Sequence, residues 1–119
     1  MTVQDLLAQL NQGTTLTQLQ TYVQEVITLR GFAEETSQEV LLMLMEEVGE
    51  LAKAVRKQQG MFVDPAKLQN YDTVQSEVAD IMILLLSLCN VQGINLMDAV
   101  VAKEKINAQR TWERSTHGQ

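Results

Sequence analysis

Five carboxylates stand where a helix would ordinarily bury apolar side chains. The segment MLMEEVGELAKAV carries Glu46, Glu47 and Glu50, and the segment SEVADIMILLL carries Glu77 and Asp80. At about 100° per residue, Glu47 and Glu50 differ by roughly 60° around a helix, as do Glu77 and Asp80, so each pair shares a face. In the first segment the apolar stripe reads Leu44, Val48, Leu51 and Val55, with Glu47 at its edge; in the second it reads Val74, Val78, Ile81 and Leu85, with Glu77 at its edge. If the two helices pack together, the carboxylates of Glu47, Glu50, Glu77 and Asp80 converge.

An ExxE pair taken alone is ordinarily a solvated helix face, because acids are seldom buried. Two features oppose that reading here. Glu46 and Glu50, Glu47 and Glu50, and Glu77 and Asp80 are like-charge neighbours, each costing a few tenths of a kcal/mol, and only Lys53 offers relief. Four carboxylates gathered in a half-buried cleft cost several kcal/mol per desolvated charge, or become protonated, unless a cation sits among them. All-oxygen ligands without a neighbouring His or Cys select a hard ion, Mg²⁺ first with Mn²⁺ as substitute, over zinc or copper. A di-iron bundle needs Glu-x-x-His pairs, and the sole histidine is His117 near the end of the sequence, so that chemistry is excluded.

Further along, Lys103, Asn107 and Arg110 stand at i, i+4 and i+7, one stripe of a helix. Alone, such a stripe is a solvated polar face. Beside an anionic substrate it becomes a set of phosphate and sugar contacts, with Lys as a point charge and Arg as a two-pronged donor. Trp112, the only tryptophan, suits packing at an interface or in the core, or stacking on a base. Gln20, Tyr22 and Phe32 are weaker candidates for base contacts. The methionines at helical spacing, Met43, Met45, Met82 and Met97, are read as core.

These residues carry a resemblance. Glu46-Glu47-Val48-Gly49-Glu50, a spacer of 26 residues, and Glu77-Val78-Ala79-Asp80 stand as EExxE followed by ExxD, and Lys103, Asn107 and Arg110 stand as KxxxNxxR. With EEVGELAKAV, EVADIMILLL and QGINL around them, the sequence resembles the MazG-like nucleoside triphosphate pyrophosphohydrolases, the all-α NTP pyrophosphatases, over roughly residues 16–112. The resemblance implies Mg²⁺-dependent cleavage between the α and β phosphates of a nucleoside triphosphate, giving the monophosphate and pyrophosphate. It implies Glu47, Glu50, Glu77 and Asp80 as metal ligands and Lys103, Asn107 and Arg110 as substrate contacts. Glu46, about 100° from Glu47 around the helix, would orient the attacking water, help hold a second ion, or face solvent. Homodimers or homotetramers with sites between subunits are implied as well.

The elements that must position these residues are helices. Val3, Leu6, Leu7 and Leu10 predict a short first helix over Thr2 to Asn11, stopped by Gly13. A second runs from Thr15 to Arg30 and ends at Gly31. A third opens at Thr36 or Ser37, with Glu39 completing a capping box, and ends near Gly60. Met61 to Tyr71, with Asp64-Pro65, reads as the one long loop. A fourth helix, capped by Asp72 or Thr73, runs to about Val91 and stops at Gly93; a fifth, capped by Asn95, runs to Arg110 or Trp112. The expectation is a single all-α domain over 1–119, a bundle of four to five helices, with 1–13 a short helix and turn and 113–119 a flexible tail.

Composition agrees. Of 119 residues 45% are hydrophobic and only 4% aromatic, which suits helices better than a β-sandwich, and the length suits one core. Nine basic against fifteen acidic residues give a net charge of −6, so no basic surface is offered to a nucleic-acid polymer or an anionic membrane. Cys89 alone excludes a disulfide framework and zinc sites needing two thiolates, and points to a reducing compartment. No signal peptide is expected, and the longest uninterrupted apolar stretches, Val40 to Met45 and Ile81 to Leu86, are too short to span a bilayer, so a cytoplasmic protein is expected. Apolar runs such as IMILLLSLC exceed what so few helices hide alone, so association is expected. Two readings compete: a nucleotide pyrophosphohydrolase clearing unwanted or surplus triphosphates, and a non-catalytic helical oligomer that binds a nucleotide or a protein partner.

Overall fold

The structure, a computed structural model, describes residues 1–60 and 73–110. The loop expected over Met61 to Tyr71, Trp112 and the tail at 113–119 lie outside the described residues. The described residues form five helices and no strand: α1 (Val3–Leu7), α2 (Leu16–Leu29), α3 (Ser37–Gln58), α4 (Val74–Gln92) and α5 (Leu96–Gln109).

Each helix begins where a side chain accepts from an otherwise orphaned amide. Thr2, Thr15 and Thr36 cap α1, α2 and α3 as full capping boxes, with Asp5, Gln18 and Glu39 returning a bond to the cap's own N–H. Thr73 caps α4 through the amide of Ser76, and Asn95 caps α5 through that of Asp98. α1 is shorter than its periodicity predicts: beyond Leu7 the backbone passes into tight turns, with the amides of Gln9, Leu10 and Thr14 bonding to the carbonyls of Leu6, Leu7 and Asn11. Gly93 ends α4 in the left-handed region (φ 70°), where a Cβ would be strained, and the Ile94 amide reaches back to the Cys89 carbonyl at 2.8 Å.

α3 and α4 form the most extensive interface, while α2 lies against α4, α1 and α5. The α3–α4 pair is antiparallel: Gln92 at the end of α4 donates to the Ser37 hydroxyl at the start of α3. The core is built from Leu6, Val23, Val26, Val40, Ala54, Leu86 and Cys89. Burial pushes the Cys89 thiol up, which keeps it protonated and inert.

The helices are rotated relative to the predicted stripes. Val48 and Val78, expected in the seam, are 41% and 51% exposed, while Val40 and Ala54 are buried, with Glu47 between them at seven-residue intervals. Seven residues is about two turns, so Val40, Glu47 and Ala54 lie in one row facing α4. Both helices are apolar around more than half their circumference, and the partner helix selects which part is covered.

That selection leaves apolar surface outside. Leu41, Leu42, Met45 and Val48 on α3, Val78, Met82 and Ile83 on α4, and Met97, Val100, Val101 and Ile106 on α5 are all exposed. Met45, Met82 and Met97, read as core, therefore stand at the surface of the single chain. The Cα radius of gyration is 18.0 Å, against roughly 13 to 14 Å for a compact chain of this length. α4 as a whole is long and apolar enough to cross a membrane by length and composition, although its uninterrupted runs are short; here it lies between α3 and α2 and carries Glu77 and Asp80.

Candidate metal centre

The row facing α4 carries the first acid of the site. Glu47 on α3 meets Glu77 and Asp80 from the first two turns of α4, and one carboxylate oxygen from each lies within 4.8 Å of the others. Glu77 is buried, with 2% of its surface exposed; Glu47 and Asp80 are half-buried. An i, i+3 pair on one helix and a single acid on its antiparallel neighbour suffice to make the cluster, because the interface brings the two segments level.

Three carboxylates at this separation repel one another, and Glu77 is additionally desolvated. The donor set fits a hard divalent cation. Metal–oxygen distances of about 2.0 to 2.6 Å put ligand atoms up to roughly 4 to 5 Å apart across an ion, the span observed here. Every donor is an oxygen, and one carboxylate is already held inside the interface.

The remaining predicted residues lie outside this three-acid cluster. Glu50 stands one turn beyond Glu47 on the flank of α3, outside the three-acid cluster; its side chain is 45% exposed and pairs with Lys53 at 3.5 Å. Glu46 is exposed on the same helix. Lys103 is exposed on α5 and Asn107 is half-buried, while Arg110, expected inside the helix, stands exposed at its C-cap, where the backbone turns extended (ψ 144°); α5 has its main contact with α2.

The weaker candidates for base contacts separate. Gln20 is buried, and its amide is committed to the protein: Nε2 donates to Asn90 Oδ1 (3.0 Å) and to the Ile94 carbonyl (2.6 Å), and Oε1 accepts from the Leu96 amide (2.9 Å). Leaving any of these buried groups unpaired costs about 1 to 3 kcal/mol, so Gln20 is not available to a base. Tyr22 is half-buried in a cleft of about 520 Å³ between α1 and α2, which Thr14, Thr17, Gln18, Thr21 and Glu25 also line. Phe32 is 54% exposed beyond the end of α2. Sequence reasoning passed over the partnership of Asn90 with Gln20; a polar residue on the Val23 stripe of α2 was the available signal.

Comparison with known proteins converges on the same segment. Residues 35–111 match the model of the MazG nucleotide pyrophosphohydrolase domain. The chain is 36% identical over 75 residues to a dATP/dGTP diphosphohydrolase of Cyanophage S-2L, covering 63% of this chain and 57% of that protein. It is 33% identical over 89 residues to a dATP/dGTP diphosphohydrolase of Salmonella phage PMBT28, covering 75% of this chain and 25% of that protein. The chain thus spans little more than half the length of one relative and a quarter of the other. No solved structure gives a significant match. The domain match takes in more than half the chain, and the convergent acids of α3 and α4 and the polar stripe of α5 all lie inside it; the chain belongs to the MazG nucleotide pyrophosphohydrolase family.

Proposed function

We propose that the protein hydrolyses (deoxy)nucleoside triphosphates between the α and β phosphates, releasing the monophosphate and pyrophosphate, and that purine deoxynucleoside triphosphates are its first substrates to test. The observation that carries this reading is the meeting of Glu47, Glu77 and Asp80 across the α3–α4 interface, in a chain whose relatives are dATP/dGTP diphosphohydrolases.

Glu47, Glu50, Glu77 and Asp80 are the residues that would hold Mg²⁺, with Mn²⁺ as substitute. Glu50 is not held back by Lys53, because an exposed i, i+3 ion pair is worth only a few tenths of a kcal/mol. A divalent ion bound there supplies charge neutralisation for the triphosphate and acidifies a water. Glu77, fixed in the interface, sets where the donors point. Glu46, on the solvent side, has the lesser part of orienting the attacking water. Lys103, Asn107 and Arg110 bind phosphate and sugar from α5, and no protein nucleophile takes part.

The working form is a homodimer or homotetramer in the cytoplasm, joined through the apolar surface that α3 and α4 leave open. Removal of surplus or unwanted triphosphates is the role that fits this chemistry.

The test is a panel of canonical, deoxy and modified triphosphates with Mg²⁺, resolving pyrophosphate from orthophosphate. Pyrophosphate with a monophosphate is expected, and Glu77→Gln should abolish it. Orthophosphate as the first product would refute the bond assignment. Absence of turnover with every triphosphate would favour the non-catalytic oligomer.

A further inference from the structure

We propose that Gln20 is a positioning residue: the Gln20–Asn90 clasp sets the direction of α5 and so places Lys103, Asn107 and Arg110. The inference rests on the reading of α5 as the phosphate-binding helix. One buried side chain on α2 holds three successive parts of the α4–α5 turn. Gln20 bonds to Asn90 in the last turn of α4, to the Ile94 carbonyl in the connection, and to the amide of Leu96, the first residue of α5. Asn90 Nδ2 returns a bond to the Gln20 carbonyl at 3.1 Å, and the α5 cap Asn95 donates to the Thr17 hydroxyl at 3.3 Å.

Among the described residues, packing holds α5 less firmly than these bonds do, its main contact being with α2. None of its residues is buried in the chain, and Met97, Val100, Val101 and Ile106 are between 41% and 51% exposed. Apolar contacts tolerate sliding, whereas hydrogen bonds are directional, so the clasp rather than packing defines the angle at which α5 departs. The lever is long. At 1.5 Å rise per residue, Lys103 and Arg110 lie about 10 and 21 Å from Leu96, and a swing of about 10° moves Arg110 by roughly 4 Å, enough to lose a phosphate contact.

The test joins kinetics to a distance. Gln20→Met keeps length and burial but removes all three side-chain bonds; Asn90→Ala, the milder variant, leaves the bonds to Ile94 and Leu96 and guards against loss of folding in the first. Spin labels on Gln38→Cys in α3 and Lys105→Cys in α5, both exposed, report the α5 angle, with labelled chains diluted into excess unlabelled protein; buried Cys89 does not compete for label. In Gln20→Met the distance distribution should broaden and KM for the triphosphate rise about tenfold or more, with kcat changing less than threefold and the Mg²⁺-induced rise in Tm retained. Asn90→Ala should move both readouts in the same direction by less.

An unchanged distance distribution in both variants overturns the proposal, as does an unchanged KM while Lys103→Ala raises it. If Lys103→Ala and Arg110→Ala leave KM unmoved, the assignment of α5 to phosphate binding fails instead, and the label distance alone decides whether the clasp steers the helix.

Discussion

Glu47 and Glu77 come from different helices, yet their carboxylate oxygens lie within 4.8 Å, and Glu77 is among the most buried side chains of the protein. Carboxylates gathered this closely repel one another, and a cation among them relieves that repulsion. The cluster is built into the α3–α4 interface, so metal binding there should be measurable in the absence of substrate.

Mg²⁺ or Mn²⁺ should raise Tm by several degrees, because a ligand at about a hundred times its Kd stabilises the native state by roughly 2.7 kcal/mol. Glu77→Gln should lose the metal-induced rise. A scanning-calorimetry series with and without Mg²⁺ checks both. A Glu77→Gln protein that keeps the full rise would place the ion elsewhere.

Glu50 and Glu47 should differ in degree. Glu47→Gln, in the interface row, is expected to lower turnover at least a hundredfold, whereas Glu50→Gln, on the flank beside Lys53, should chiefly weaken metal affinity by about tenfold. Lys53→Ala should leave metal affinity unchanged or slightly raised. Activity titrated against Mg²⁺ for the three variants distinguishes a shifted midpoint from a lowered plateau.

The surface that α3 and α4 leave open should hold copies together. Val48→Glu, on α3, and Val78→Glu, on α4, alter exposed positions, so helix formation in the single chain should survive while the assembly dissociates toward monomers. Sedimentation velocity gives the mass and circular dichroism the helix content. Unchanged mass in both variants would move the interface to another face.

Acid should loosen the helix starts. The carboxyls of Glu39 and Asp5 lie below their ordinary values because each accepts a hydrogen bond from the backbone amide, and a further one from the side chain, of its capping threonine. A group whose folded value is depressed adds stability above its unfolded value and loses it as pH falls through the folded one. Tm should therefore drop on acidification through the carboxylate range, and the drop should be smaller in Glu39→Gln, whose amide keeps a neutral form of the same bond. Melting curves between neutral and acid pH test the sign.

Spacing alone was enough for the helix starts, the capping box of Thr36 with Glu39, the left-handed stop at Gly93 and the two acidic motifs, because each is a relation between residues within about two turns, whereas the stop of α1 was not. The rotation of α3 and α4 was decided only in the folded chain. Both helices present apolar side chains around a wide arc, so several faces satisfy the same periodicity, and the antiparallel contact chose the one that turns Glu47 and Glu77 inward and Val48 and Val78 outward. Gln20 follows the same logic: its partners stand some seventy residues away, a separation that local pattern does not register, and only the meeting of α2 with the α4–α5 turn makes it a structural clasp rather than a contact for a base.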